Sequence, residues 1–306
     1  MPAIDSSIKA SKLQIIFVLS IGVFAISTAA IIIRLATASA ELRGTGFSLF
    51  LAASRLTIAA LIMLPAWQGL HRDLTVKSIA YSVLAGVFLG LHYATWITSL
   101  SYTSIAASTT LVTTSPAWVA LISWFWFKEK PSLFTIIGIS ITIIGGILIG
   151  LDGIVMNAKG SHVLWGNFLA LVGSWTISIY FLLGREAQRQ GLGTPLYAAI
   201  AYSAAAFILL PLPQFFATPY LGYSPAVYAY TILLALLPQL IGQTSLNWAV
   251  TQISPTIVTL VIMLEPVVAS FFGYLLFGEL PSSYAIVGSL ILLIGVFAAA
   301  VGSRLQ

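Results

Sequence analysis

A stretch in the first half of this chain, from Thr95 to Gly150, recurs in the second half 150 positions further on. Chance similarity between two apolar stretches would match Leu, Ile and Val, whereas these matches fall on Pro, Glu and Gly. An ungapped internal repeat predicts two copies of one structural unit. The matched pairs include Pro116 and Pro266, Phe127 and Phe277, Glu129 and Glu279, Pro131 and Pro281, Ser132 and Ser282, Gly138 and Gly288, and Gly145 and Gly295.

The composition restricts what that unit can be. The 306-residue chain is 59% apolar and only 7% charged, with a mean hydropathy of +1.03, whereas soluble domains carry about 25% charged residues. So few charges cannot cover a water-exposed surface, which indicates a multi-pass membrane protein. The absence of cysteine excludes disulfides and thiolate metal sites. We expect no cofactor and no metal. We also expect no nucleic-acid partner, because the net charge of +5 resides in short loops.

Ten apolar windows approach the length of about 20 residues that a membrane-spanning helix needs. We number them as the first to tenth segments. The first is too long for a cleaved signal peptide and is expected to be retained. Five segments fall in each copy, which predicts an all-α membrane protein of ten transmembrane helices with repeat units at 13–151 and 163–302. The windows are 13–34, 46–68, 77–99, 104–127, 133–151, 163–184, 194–213, 225–249, 255–277 and 283–302.

Loop charges predict the orientation, since Lys and Arg concentrate on the cytoplasmic side. With a cytoplasmic N-terminus, the inner loops hold Lys9, Lys12, Arg72, Lys77, Lys128, Lys130, Arg185, Arg189 and Arg304, and the outer loops hold only Arg34, Arg43 and Lys159. Both termini are therefore expected in the cytoplasm. An odd number of helices per unit then requires that the second unit be inverted. The matched turns agree, because Lys128-Glu129-Lys130 is basic and Gly278-Glu279-Leu280 is not.

Each copy has a segment of small residues with an internal proline, then a Glu-x-Pro-Ser turn, then a segment with spaced glycines. In these features the chain resembles the drug/metabolite transporter superfamily, in particular its EamA-type ten-helix members. The resemblance covers essentially the whole chain and is most specific over 104–146 and 254–296. It implies export of a small metabolite. The family's Glu-Pro pair is present as Glu265-Pro266, whereas the first copy has Ser115-Pro116.

Ionisable side chains inside the membrane are candidate functional groups, because a charge at the bilayer centre costs at least about 2.5–3.5 kcal/mol. Glu265 and Arg55 lie deep in their segments, and His92 lies in the outer half of the third. Glu265 would face the cavity as a protonatable coupling group or meet a cationic substrate. Alternatively, Arg55 and Glu265 form a structural ion pair. For His92 the alternative role is a hydrogen bond to a neighbouring helix.

Two prolines, Pro116 and Pro266, are predicted to kink the fourth and ninth segments and to act as hinges beside a central space. Alternatively, the two kinks only shape the packing of the helices. Pro238 in the eighth segment has no counterpart, since Phe88 stands at the equivalent position. The spaced glycines, including Gly86 and Gly90, are interpreted as close helix contacts.

Helical spacing groups further polar and aromatic residues on shared faces, which predicts a cavity lined by the first, third, fourth, sixth, eighth and ninth segments. Gln239, Gln243 and Asn247, for example, recur every four residues on a face that lipid would not tolerate. Alternatively, the Ser and Thr hydroxyl groups bond to their own helix backbone, and the aromatic residues belong to the belt at the membrane interface. The candidates are Phe24, Ser27, His92, Tyr93, Trp96, Thr110, Thr114, Trp175, Ser178, Gln239, Gln243 and Asn247.

These features predict a secondary transporter of the plasma membrane that exports a small metabolite by alternating access. An aromatic amino acid is the first expected cargo, since aromatic side chains could stack its ring and amide groups could bind its polar end. Its partners would be that substrate and the lipid bilayer; the oligomeric state stays open. A carrier or exchanger of nucleotide sugars or phosphorylated sugars is the alternative. A channel or membrane-embedded enzyme is disfavoured, because the sequence contains neither a filter-like charge ring nor a catalytic constellation.

Overall fold

The computed structural model describes residues 10–70, 74–128, 132–155, 161–278 and 282–304. Within these ranges every regular element is helical. The predicted turns at 129–131 and 279–281, and the loop cations Lys9, Arg72, Lys130 and Lys159, lie outside the described residues. The α-helices are α1 (Lys12–Ser27), α2 (Ala29–Ala40), α3 (Thr45–Ile62), α4 (Val76–Ser99), α5 (Ile105–Val112), α6 (Ser115–Phe127), α7 (Leu133–Val155), α8 (Ser161–Arg189), α9 (Thr194–Leu209), α10 (Pro225–Leu234), α11 (Thr244–Gln252), α12 (Pro255–Ile262), α13 (Glu265–Phe277) and α14 (Ser283–Arg304).

Eight helical stretches in the described part of the chain are long and apolar enough to cross a membrane. Helices suit this environment because they satisfy their backbone hydrogen bonds internally. The prediction of an all-helical membrane protein is thus confirmed. The eight are Lys12–Ala40, Thr45–Ile62, Val76–Ser99, Ile105–Trp126, His162–Arg189, Thr194–Phe216, Pro225–Gln252 and Pro255–Phe277; the apolar stretches of α7 and α14, Leu133–Leu148 and Ile286–Ala299, are shorter.

The fourth and ninth segments are broken at equivalent places. α5 ends at Val112 and α6 begins at Ser115, while α12 ends at Ile262 and α13 begins at Glu265. The prolines that sequence analysis placed inside kinked helices therefore occupy the first turn of a new helix. Proline is tolerated there because the missing N–H would have no intrahelical acceptor.

The two breaks share backbone hydrogen bonds and differ in their side chains. In both segments the second residue of the break donates its backbone N–H to the carbonyl three residues earlier, Thr114 to Leu111 at 3.3 Å and Leu264 to Val261 at 3.2 Å. In the fourth segment, the hydroxyl of Thr113 also donates to the Thr109 carbonyl at 2.9 Å and that of Thr114 to the Leu111 carbonyl at 2.8 Å. The break of the ninth segment lacks these side-chain bonds, because Met263 and Leu264 have no hydroxyl.

The eighth segment contains a π-helix over Ala235–Gln243, between α10 and α11, with Pro238 inside it. The wider π turn is a common way for a helix to accommodate a local irregularity, and such turns are frequent at functional sites. Its repeat counterpart α4 is one unbroken α-helix. The eighth segment therefore differs in shape from the third, and the difference begins around Pro238.

Glycines allow several helix pairs to approach closely. A Cβ atom on Gly138 would collide with the backbone of Gly295 and Ala299, and one on Gly145 would lie 2.6 Å from the Gly288 carbonyl oxygen. These contacts join α7 to α14, which pack along each other extensively. Glycines of α4 meet Ala201 and Ile208 of α9 in the same way. The interpretation of the spaced glycines as packing contacts is confirmed.

Candidate functional site

A central cavity of about 50 Å³ lies between the two halves of the chain. It is lined by residues of the six predicted segments and also of the second segment, which contributes Arg55. Sequence analysis had not assigned the second segment to the cavity, although it singled out Arg55. The lining residues are Ile26, Ala29, Arg55, His92, Tyr93, Trp96, Val112, Thr113, Ser115, Ile177, Phe181, Gln243, Leu246, Ile262 and Glu265.

Arg55 projects from the middle of α3 and is only 1% exposed. Its Nε donates to Oε1 of Gln239 at 2.9 Å, and its Nη2 donates to the Tyr93 hydroxyl at 3.0 Å. The guanidinium carbon lies 4.1 Å from the centre of the Tyr93 ring, within the range of a cation–π interaction. No hydrogen-bond partner is present for Nη1 among the described residues.

Glu265 also lines the cavity, as the first residue of α13, and is 6% exposed. The N-terminus of a helix favours a negative charge, because the unpaired N–H groups and the macrodipole are positive there. In the described part of the chain, Glu265 and Arg55 do not come within ion-pair distance of each other. The cavity therefore holds one cation and one carboxylate that do not neutralise each other by direct contact.

Aromatic rings form one wall of the cavity. The rings of His92 and Trp96 are nearly parallel, with centroids 5.7 Å apart and an interplanar angle of 10°. His92 also packs against Tyr93, with centroids 4.8 Å apart. Its Nδ1 is 2.9 Å from the Gly173 carbonyl and must donate, because a carbonyl only accepts. This contact to α8 is the helix-to-helix hydrogen bond that sequence analysis considered for His92.

A cluster of buried polar side chains surrounds Asn247, one helical turn after Gln243. The Tyr180 hydroxyl donates to Oδ1 of Asn247 at 2.7 Å, and the Tyr202 hydroxyl is 2.9 Å from the Thr244 hydroxyl. Asn247 thus joins the packed core and is not among the residues lining the cavity. Neither tyrosine was among the predicted site residues. The position of Tyr202 near the middle of its apolar segment, away from the membrane interface, was a usable signal in the sequence.

Several predicted cavity residues have other surroundings. Phe24 is 58% exposed and Trp175 is 36% exposed. Trp175 packs edge-on against Trp118, with centroids 5.3 Å apart. Neither aromatic residue lines the central cavity, because the packed faces of α1 and α8 are formed by other residues on these helices, among them Ile26 and Ile177.

The predicted hydroxyl groups mostly bond to nearby helix backbone, as the alternative interpretation held. Ser27 donates to the Val23 carbonyl and Thr110 to the Ala106 carbonyl, both at 2.7 Å. The Ser178 hydroxyl donates to the Ser174 carbonyl at 2.7 Å. Thr114 is also 3.0 Å from the Ser174 hydroxyl, which links the fourth segment to the sixth.

A second, mostly apolar cavity of about 190 Å³ lies between the fourth, ninth and tenth segments. Thr110 and Pro266 belong to it. Its wall includes Val267 and Leu290, each at least half exposed, so that it borders the outer surface of the helix bundle. Over the residues described, no group of three or more His, Cys, Asp or Glu side chains could hold a metal ion.

Comparison with known proteins assigns the chain to a family. The model of the EamA-like transporter family matches residues 13–151 and again residues 164–301. The chain belongs to the EamA-like transporter family. It is therefore a multi-pass integral membrane protein and a membrane transporter, located in the plasma membrane as bacterial transporters of this type are. Membership also favours a protein that is not an enzyme.

Similar proteins from bacteria agree with this assignment. The chain is 23% identical over 256 residues to the uncharacterized transporter YyaM of Bacillus subtilis strain 168, covering 81% of this chain and 83% of that protein. It is 24% identical over 224 residues to the uncharacterized transporter YdfC of the same strain, covering 72% and 71%. A crystal structure with 17% sequence identity matches 97% of this chain and 100% of its own with a TM-score of 0.65, which supports the fold.

Proposed function

We propose that this EamA-family protein is a secondary exporter built from ten transmembrane helices in two inverted repeats, 13–151 and 163–302. Both termini would lie in the cytoplasm. The broken fourth and ninth segments, with Pro116 and Pro266 after the breaks, would bend as the central cavity opens alternately to the two sides. The support is the equivalent position of the two breaks, each of which is flanked by residues that line the cavity.

The cargo we propose is a small amino acid, with aromatic amino acids first. The observation that supports this is the composition of the central cavity, where Arg55 and Glu265 lie without a direct ion pair beside the stacked rings of His92 and Trp96. A molecule with an ammonium group, a carboxylate and an aromatic side chain would complement all three features. The cavity has a volume of about 50 Å³ in this conformation, so the site would have to widen to admit such a molecule.

Glu265 would couple export to the proton gradient. Its carboxylate can bind the ammonium group of the substrate or a proton, but not both at once. Substrate would therefore bind on the cytoplasmic side as a proton leaves, and a proton would bind on the outer side as substrate leaves. This competition converts the inward proton gradient into outward transport without any further coupling residue.

The proposal is tested with purified protein in liposomes, by counterflow of radiolabelled phenylalanine against a panel of unlabelled metabolites. We expect internal phenylalanine, tyrosine and tryptophan to drive uptake of the label, and nucleotide sugars and sugar phosphates not to do so. Protein-free liposomes provide the baseline. No uptake of labelled phenylalanine above this baseline, with any of the internal compounds, would overturn the proposed cargo.

A further inference from the structure

The guanidinium of Arg55 is fixed on two sides and lacks a partner on the third. Gln239 accepts from Nε and Tyr93 accepts from Nη2, while Nη1 has no acceptor among the described residues. Leaving a buried charged donor unsatisfied is costly, and native structures rarely do so without a reason. Since no described residue supplies the missing acceptor, this nitrogen is available to a ligand in the cavity.

A second unsatisfied donor lies on the same cavity. Trp96 is 3% exposed, and its Nε1 has no acceptor in the part of the chain that the structure describes. The orientation of its ring is fixed by stacking on His92, which is held by the Gly173 carbonyl. Arg55 and Trp96 both contact Tyr93, one through its hydroxyl and ring face and the other through ring packing.

The Nη1 group of Arg55 and the indole N–H of Trp96 together suit a ligand with two acceptor oxygens and a single negative charge. A carboxylate fits this description. A phosphate monoester carries more negative charge and would be repelled by Glu265 across the same cavity, whereas an ammonium group would be attracted to Glu265. The two charged residues thus distinguish the two ends of a zwitterion.

We infer that Arg55 and Trp96 bind the carboxylate of the exported substrate and that Glu265 binds its ammonium group, so that the site selects zwitterionic α-amino acids over amines and over carboxylic acids. This inference rests on the proposed function and assigns a partner to each end of the cargo. It also gives the site a direction, with the carboxylate toward the second and third segments and the ammonium toward the ninth.

Gln239 is the positioning residue for this carboxylate site. It is fully buried and acts through the Arg55 Nε instead of lining the cavity. It belongs to the π-helical turn and directly follows Pro238. The 150-residue repeat places Leu89 opposite Gln239 and Ala205 opposite Arg55. The pairing of Arg55 with Gln239 therefore has no symmetric counterpart, and the irregular turn of the eighth segment supplies the positioning residue.

The test measures binding of three ligands to full-length protein by calorimetry in detergent: phenylalanine, phenethylamine, which lacks the carboxylate, and 3-phenylpropanoate, which lacks the ammonium group. We expect wild-type protein to bind phenylalanine at least about tenfold more tightly than either analogue. The variant Trp96→Phe, which loses the N–H, should weaken phenylalanine and 3-phenylpropanoate by about tenfold and leave phenethylamine nearly unchanged. Trp165→Phe, at a half-exposed position outside the cavity, is the matched control.

A second variant tests the positioning role without changing side-chain shape. Gln239→Glu places a carboxylate against the Arg55 Nε, so that an internal charge neutralises the guanidinium. We expect both carboxylate ligands to lose at least about tenfold in affinity while phenethylamine binds as well or better. A thermal unfolding scan identifies variants that fail to fold.

The outcomes separate this inference from the proposed function. If wild-type protein binds phenylalanine but Trp96→Phe and Gln239→Glu weaken all three ligands equally or none of them, the carboxylate site is wrong and amino-acid export stands. If folded wild-type protein binds none of the three ligands, the proposed aromatic cargo itself is wrong. Equal binding of phenylalanine and phenethylamine by wild-type protein would also overturn the carboxylate site.

Discussion

Ser115 and Glu265 occupy equivalent positions in the two halves of the chain, each as the first residue after a helix break and each on the wall of the central cavity. Both are nearly buried, at 2% and 6% exposure. The Ser115 carbonyl accepts a hydrogen bond from Ser178 at 3.2 Å, which ties that break to the sixth segment. The repeat therefore brings one neutral and one acidic residue to the same space, and only the second copy supplies a carboxylate at this position.

Replacing Glu265 by Gln should abolish transport driven by a pH gradient while the protein stays folded, because an amide can neither release a proton nor pair with an ammonium group. The measurement is gradient-driven efflux of phenylalanine from liposomes, with the thermal unfolding midpoint as the check on folding. Glu186→Gln is the matched control, since Glu186 is a partly exposed carboxylate 3.7 Å from Arg189. Unchanged gradient dependence in Glu265→Gln would exclude it as the coupling residue.

Removing either proline after the breaks should slow transport more than it weakens binding. Pro116→Ala or Pro266→Ala restores a backbone N–H and permits a more continuous helix, which reduces the bend that the cavity needs to open. We expect the maximal rate of counterflow to fall several-fold with little change in half-saturating substrate concentration. A change confined to the half-saturating concentration would argue that the breaks only shape the site.

Gly138→Ala should destabilise the protein, because the added methyl group would collide with the backbone of Gly295 and Ala299. Overpacking of this kind costs about 1–3 kcal/mol, so the thermal unfolding midpoint in detergent should fall. Gly146→Ala on the same helix is the control, because the nearest atoms, on Leu111 and Thr114, would be 3.9 Å from its Cβ. Equal midpoints for the two variants would contradict the tight α7–α14 contact.

The inverted arrangement of the repeats can be tested by labelling. Because the sequence contains no cysteine, Glu129→Cys and Glu279→Cys each give a single reactive site in the otherwise wild-type chain. Inverted repeats place the two matched turns on opposite sides of the membrane, so a membrane-impermeant thiol reagent should label only Glu279→Cys in intact cells and label Glu129→Cys after permeabilisation. Labelling of both from the same side would overturn the topology.

The helical membrane fold and the approximate extents of its apolar segments could be predicted from the sequence, because apolar length and turn chemistry act locally. The breaks within the fourth and ninth segments and the π-helix of the eighth were not predicted. The prediction that Arg55, His92 and Glu265 matter also follows from sequence, since ionisable residues in apolar segments are rare for energetic reasons. Which face of a helix turns toward the cavity was harder to predict from the sequence. Phe24 and Ile26 are both apolar residues of α1, yet only Ile26 reaches the cavity.

By itself the sequence determined that the chain is a repeated, helical membrane protein, since composition and internal repetition do not depend on how distant segments meet. Only the tertiary structure decided which groups remain without partners. Gln239 and Tyr93 satisfy two sides of Arg55, and they come from positions 184 and 38 residues away in the chain. These hydrogen bonds depend on how distant segments pack against each other. For this reason Glu265 is recognisable in the sequence, whereas its position relative to Arg55 is not.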